Sequence, residues 1–398
     1  MAKTLSWFLA LAPALTIYGI YGVDLATIIG LFFWPICMFY IYLKNGKISF
    51  MPLVSLLLGY VVVITVLNLI FVRNLYVGEE LIIFRLIKYA LWLGIVPVIL
   101  NSDLFDFDYT LECYKKVCVC AALYLIFQQV AFNVFSVILP RLFLPYTANP
   151  NASAAILQQD FSATNVEFFR PSAFFLEPAQ FSDYILLALV LIFIAPGTSK
   201  KDKWLYYLLP CAVIASTSGL GYMLLLALFL IGNFSRIMRN PKFTLAFFLT
   251  LLGFAALYVN VGYVNTLVSS TMGRLTNFED PMNNAFLRRF SSYYFLNSLD
   301  ARAFMLGNGY GNILSGEYFN GLPYMIWTTG LLGTLIYTGM LSNFYEKNNL
   351  TVNVFLFFVL SMNIFAQGFT PISIVFNIVG LIALKNKYNK EMVLENTR

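Results

Sequence analysis

Apolar runs of seventeen to twenty-three residues, separated by short charged or Pro/Gly breaks, recur along almost the whole chain. They fall near 5–21, 25–43, 50–72, 81–100, 117–139, 179–196, 204–217, 219–235, 243–262, 322–341, 351–367 and 372–384, a few of them shorter. Each is close to the length a helix needs to cross a hydrocarbon layer, about 20 residues at 1.5 Å rise. The pattern predicts an all-α, polytopic membrane protein of about twelve spans, built as one membrane domain over 1–398. The region 204–235 is apolar throughout except for Ser216-Thr217-Ser218-Gly219-Leu220-Gly221. Read as a broken hairpin it gives two spans, and read as one kinked helix it gives one and reverses everything downstream.

Composition agrees. Of 398 residues, 60% are hydrophobic and 11% charged, against about 25% charged in soluble domains. That excludes a large soluble catalytic domain. Histidine is absent, which removes imidazole bases, His-ligated metals and haem from consideration. The five cysteines (Cys37, Cys113, Cys118, Cys120, Cys211) show no CxxC spacing and read as small apolar fillers. No metal or cofactor is implied.

Charge sets the expected orientation. With twelve spans and a cytoplasmic N-terminus, the inner loops hold mostly lysine, including Lys44, Lys115, Lys116, Lys200, Lys201 and Lys203, and both termini are cytoplasmic. The single Lys3 before an uncleaved-looking apolar run makes the first span a retained one. Two long loops, about 140–178 and 263–321, then lie outside. The outer-loop cations are all arginine: Arg73, Arg141, Arg170, Arg274, Arg288, Arg289 and Arg302. Guanidinium forks match phosphate oxygens bidentately and stay charged when partly desolvated, so this face reads as a phosphate-binding one. Arg85 and Lys88 share a helical face about 6 to 11 Å below the outer surface. Either they snorkel outward, pairing with Glu79 and Glu80, or they line a polar cavity.

Phe168-Phe169-Arg170-Pro171-Ser172-Ala173-Phe174-Phe175-Leu176-Glu177-Pro178 leads into a span. Glu177 either caps that helix or serves as a general base, the role left to carboxylates once histidine is missing. Residues 283–306 read as an amphipathic helix lying on the membrane. As one helix it would hold Arg288 and Arg302 about 21 Å apart, so they would serve two phosphate groups unless it breaks near Asn297-Ser298. The following Gly307-Asn308-Gly309-Tyr310-Gly311 turn is a candidate backbone nest for an anion.

The Arg-Pro-Ser-x-Phe-Phe-Leu-Glu-Pro stretch, the Ser-Thr-Ser-Gly hairpin and the long arginine-bearing loop ending in Gly-x-Gly-x-Gly together resemble the O-antigen polymerase and ligase superfamily, closest to the Wzy-type polymerases. The resemblance implies a glycosyltransferase that joins oligosaccharide repeats carried on undecaprenyl diphosphate, at the periplasmic face of the bacterial inner membrane. It would serve O-antigen or capsule biosynthesis. Its partners would be the lipid-linked donor and acceptor, membrane lipid and a chain-length regulator protein, with no nucleic acid. With such a substrate, local chemistry rather than alignment makes Glu177 the expected catalytic carboxylate, and Arg170, Arg274, Arg288, Arg289, Arg302, Arg85 and Lys88 the expected diphosphate ligands. A ligase of the superfamily depends on a loop histidine, which this chain lacks. A flippase needs charge through the mid-membrane, whereas the later spans carry little beyond Asp183.

Overall fold

A computed structural model describes residues 1–20, 23–48, 51–72, 76–100, 102–141, 169–194, 202–239, 293–313 and 321–345, with isolated positions and short runs at 249, 260, 319, 353–357, 359–360, 373, 377–378 and 380–381. The described chain is mostly helical. Helix α1 spans Ala2–Leu15, α2 Leu25–Asn45, α3 Pro52–Leu67, α4 Glu79–Leu100, α5 Phe107–Phe135, α6 Pro178–Ile194, α7 Leu205–Ala215, α8 Gly219–Arg239, α9 Ala301–Leu306 and α10 Gly321–Ser342. Among the described residues, Leu25–Asn45, Pro52–Val72 and Phe107–Phe135 are each long and apolar enough to cross a membrane. Large apolar side chains such as Phe32, Phe39, Phe71 and Tyr207 face outward. So many large apolar side chains turned outward from long apolar helices suit lipid, and the molecule is a helical membrane protein.

Local chemistry sets the helix ends. Asp24 caps α2 by accepting from the Thr27 amide at 2.9 Å, and Gly46 closes it in the left-handed region at φ 66°. Asp106 caps α5 through the Tyr109 amide at 3.0 Å. Two expected boundaries move. The first span stops at Leu15, and a two-stranded antiparallel hairpin follows, β1 (Gly19–Ile20) on β2 (Val23–Asp24), with Gly19 opposite Asp24. Ile17 and Tyr18 favour extended chain over helix, and Gly19 is a poor helix former. Helix α5 starts ten residues earlier than its apolar run, because Lys115 does not interrupt it: the ammonium is neutralised by Asp202 at 2.6 Å and Glu112 at 2.9 Å.

Residues 204–235 form two helices, α7 and α8, separated at Ser216–Ser218 by a turn in which Thr217 takes φ 55°. Both pack on α6. The expected spans 243–262, 351–367 and 372–384 fall mostly outside the described residues.

The helices pack in two neighbourhoods. In one, α5 lies between α1 and α7, with α6 bridging α7 and α8. In the other, α3 contacts α4 and α10, and α2 lies on α4. Phe8, Trp34 and Trp92 join the two, the rings of Trp34 and Trp92 meeting edge to face at 5.7 Å. The Lys44–Asp103 pair at 2.6 Å, the Lys115–Asp202 pair and the Thr110–Ser6 hydroxyl bond at 2.9 Å gather the start of α1, the end of α2, the α4–α5 connection and the starts of α5 and α7 at one end of the molecule. The end of α3, the start of α4 and the 307–313 turn lie at the other.

Candidate functional site

Helix α3 does not end cleanly. It widens into a π turn over Asn68–Val72, a feature that recurs at functional positions because it leaves backbone groups and side chains re-aimed. Against it sits the Gly307-Asn308-Gly309-Tyr310-Gly311 turn. All three glycines have positive φ, 87°, 90° and 82°, and each is pressed on a different neighbour. A Cβ on Gly307 would lie 2.5 Å from the Thr328 carbonyl of α10, on Gly309 3.2 Å from Thr65 Cα of α3, and on Gly311 2.8 Å from Arg85 Cδ of α4. No side chain fits at the first and third without displacing backbone or arginine.

Helix α10 is broken where the turn meets it. Gly330 has φ 67° and ψ −177° inside the helix, which frees carbonyls that would otherwise be bonded four residues on. The turn supplies substitutes. The Asn308 amide donates to Trp327 O at 2.8 Å and the Gly309 amide to Thr328 O at 3.0 Å. The Tyr60 hydroxyl bonds both Thr329 O at 2.9 Å and Leu306 O at 3.1 Å. Trp327 Nε1 donates to Asn312 O at 2.9 Å, and the Tyr310 amide donates to Thr65 Oγ1 at 2.8 Å. The amides of Asn308, Gly309 and Tyr310, and that of Gly307 through Ala303 O at 2.8 Å, are therefore committed inside the protein. Of the three glycines proposed as a backbone nest, Gly307 and Gly309 have their amides taken by protein carbonyls.

Two arginines hold the ends of the turn. Arg302, on α9, donates from Nη1 to Asn68 Oδ1 at 2.8 Å, and Asn68 Nδ2 in turn donates to Gly307 O at 3.2 Å and Ile64 O at 2.8 Å. Arg85 donates from Nη1 to Gly311 O. Both residues are half-buried. Among the described residues neither forms an ion pair, whereas Lys44, Lys88 and Lys115 each do. Each guanidinium has five donors, so most remain for a ligand. Tyr310, 4% exposed, packs on Tyr89 at 4.4 Å and Tyr324 at 6.1 Å between ring centres. Burial holds its phenol well above the usual range, and the neighbouring tyrosines add to this, so it stays neutral at physiological pH.

Lys88, unlike Arg85, is paired with a carboxylate. Its Nζ lies 2.5 Å from Asp24 Oδ2, whose side chain is 4% exposed, and Asp24 also accepts from the Thr27 hydroxyl, to which Trp92 Nε1 donates at 3.2 Å. Neither Glu79 nor Glu80 is its partner. The ammonium is neutralised by a buried carboxylate that already caps α2, which makes it a strut between α2 and α4.

Arg170 and Glu177 lie on the segment entering α6. Ala173, at φ 54°, is held by Gln128 of α5, which takes its amide on Oε1 at 2.9 Å and gives Nε2 to its carbonyl at 3.3 Å. Arg141 is 5% exposed, donates to Arg170 O at 2.8 Å and lies over the Phe169 ring at 5.9 Å. It is a buried tie for this segment. Glu177 stands immediately before α6, its carbonyl accepting from the Phe181 amide at 3.1 Å, and its side chain is exposed rather than partly buried.

The amphipathic helix expected over 283–306 is interrupted. A 3-10 turn covers Phe295–Ser298, Leu299 is extended, and Asp300 starts α9 by accepting from the Ala303 amide at 2.6 Å. Arg274, Arg288 and Arg289 lie outside the described residues, as does Arg73. Asn68, Asp24, Gln128, Tyr60 and Gly330 were not singled out from the sequence. Asn68 and Gln128 had a usable signal, a lone carboxamide or Gln pair inside an apolar run. Comparison of the chain with protein-family models, with curated proteins and with solved structures finds no match.

Proposed function

We propose that this protein is a polysaccharide polymerase of the bacterial inner membrane, joining undecaprenyl-diphosphate-linked oligosaccharide repeats at the periplasmic face. The observation that carries the reading is the pair of half-buried guanidiniums, Arg85 and Arg302, docked at the two ends of one glycine turn without a carboxylate to neutralise them. A part-buried cation left without a counter-charge is costly, and a diphosphate offsets it. In the reaction, a terminal hydroxyl of the acceptor repeat attacks the anomeric carbon of the donor. The new C–O bond forms as the bond to the lipid diphosphate breaks, with inversion. Charge grows on the departing diphosphate, where Arg85 and Arg302 stabilise it electrostatically. Glu177 takes the hydroxyl proton. Arg170, Arg274, Arg288 and Arg289 serve the second lipid-linked substrate. The twelve-span topology, with loops 140–178 and 263–321 in the periplasm and both termini in the cytoplasm, belongs to the same proposal, as does a chain-length regulator partner.

The test is the fate of lipid-linked repeats in a strain lacking the protein. Single repeats accumulating on the outer leaflet support the polymerase. Repeats retained on the cytoplasmic leaflet indicate a flippase and sink it, and lipid-linked polymer of normal length that is never transferred indicates a ligase.

A further inference from the structure

Along the chain, Asn308 lies between the two points at which the arginines anchor the turn. It is one residue from Gly307, whose carbonyl is tied through Asn68 to Arg302, and three from Gly311, whose carbonyl holds Arg85. Its backbone is fully committed: the amide goes to Trp327 O and the carbonyl takes Asn312 Nδ2 at 3.1 Å. Its side chain is not. The residue is 5% exposed, yet the carboxamide Nδ2 is buried without a hydrogen-bond partner.

Buried donors are almost always satisfied, and an unmade one is expensive. An alanine or serine at this position would avoid that cost while leaving the turn's backbone bonds in place. The groups gathered here also share one polarity. Guanidinium groups donate and cannot accept, and the unmet Asn308 atom is a donor as well. The missing partner is therefore an acceptor, and two uncompensated cations make it an anionic one. A diphosphate carries many acceptor oxygens within the reach of one turn.

We propose that Asn308 is a ligand-binding residue, its Nδ2 donating to a diphosphate oxygen held between Arg85 and Arg302. This rests on reading that turn as a diphosphate site and not on the glycosyl transfer proposed to follow. A neutral donor suits the position: it adds direction without a third positive charge, so binding stays reversible when the leaving group must depart.

The purified full-length protein in detergent is titrated with undecaprenyl diphosphate and, separately, with inorganic diphosphate, and its melting temperature is measured without ligand. Asn308→Ala should bind undecaprenyl diphosphate about tenfold more weakly, the share of one charge-assisted hydrogen bond, while melting no lower than wild type in the absence of ligand. Asn308→Asp, which presents an acceptor and a negative charge, should lose more. The same Asn308 dependence with inorganic diphosphate assigns the site to the phosphate group itself, and dependence with the lipid alone assigns it to the headgroup in its membrane setting. Equal binding by wild type and Asn308→Ala would overturn the inference, a water having met the amide. So would a large drop in the ligand-free melting temperature of Asn308→Ala, which would show an internal partner. Asn308-dependent binding without chain growth in a membrane assay leaves this inference standing and removes the polymerase; chain growth with Asn308-independent binding does the reverse.

Discussion

Arg85 and Arg302 each spend one donor on a protein oxygen and keep the planar fork in place for a ligand, so lysine at either position keeps the charge but loses the geometry. Arg85→Lys and Arg302→Lys should each lower kcat/KM for polymerisation by about 10- to 100-fold, the equivalent of one charge-assisted hydrogen bond of about 1.5–3 kcal/mol, with unchanged protein level in membranes. Assay with purified lipid-linked repeats checks this, and normal polymer from both variants would remove the diphosphate site. Glu177 calls for a different comparison. As a base, Glu177→Gln should lower turnover by about 100-fold; as a residue that only starts α6, it should cost about 1 kcal/mol or less and leave polymer intact. Lys88 serves as the internal contrast, because its role is structural. Asp24→Asn should destabilise by about 2 kcal/mol or more, below the about 3–5 kcal/mol of a fully buried broken pair since Lys88 is a third exposed. Asp24→Asn with Lys88→Met should recover part of that loss, as contacting residues are not additive; thermal unfolding reads both. Arg85 and Lys88 could not be told apart in the sequence. They are three residues apart on one face, and what separates them is Asp24, which a hairpin turn folds back against α4 through contacts that no local pattern encodes. Arg141 was hidden for a related reason: exposed and buried arginines in a loop look alike until the loop is packed.

At the scale of elements, the apolar runs located α2, α3, α4, α7, α8 and α10 to within a few residues, because hydrophobic length is the dominant constraint on a spanning helix. Breaks inside runs were less visible. Gly330 stands in Thr328-Thr329-Gly330-Leu331 with nothing nearby to distinguish it from an ordinary helical glycine; its left-handed φ exists only because the 307–311 turn docks there. The alternative of a break near Asn297-Ser298 agrees with the extended Leu299, and the Asp300 cap just beyond it is a readable start signal, an Asp followed by helix-favouring Ala-Arg-Ala. The turn and the Gly330 break are one unit, and this gives an element-level forecast. Gly330→Ala and Gly307→Ala should each destabilise by about 1–3 kcal/mol from a positive-φ, extended-ψ backbone that only glycine adopts readily, and by more because the added Cβ meets backbone of the other segment. The double variant should cost less than the sum. Thermal unfolding in detergent tests the coupling, and strict additivity would show that the two glycines act separately.

For the whole molecule, the ion pairs that tie α2, α5 and the connections before α5 and α7 at one end are lysine-based, while Arg85 and Arg302 hold the two ends of the glycine turn at the other. Under the proposed orientation, a cysteine at Ser298 should react with an impermeant thiol reagent in intact cells and one at Asp108 should not, both positions being exposed. Labelling of Asp108 from outside would invert the topology and move the site to the cytoplasm. The dependence of α10 on the 307–312 turn has a further consequence, for how the chain enters the bilayer. Before that turn docks, Gly330 has no cause to leave helical geometry and the carbonyls of Trp327 and Thr328 can be bonded within an unbroken helix; on docking, the Asn308 and Gly309 amides take them over, so no group need stand open in hydrocarbon, where each costs several kcal/mol. Helix α10 can therefore enter lipid as an ordinary apolar helix and break afterwards. The bend at Gly330 then belongs to the packing of α10 on the turn and α3, after insertion rather than during it.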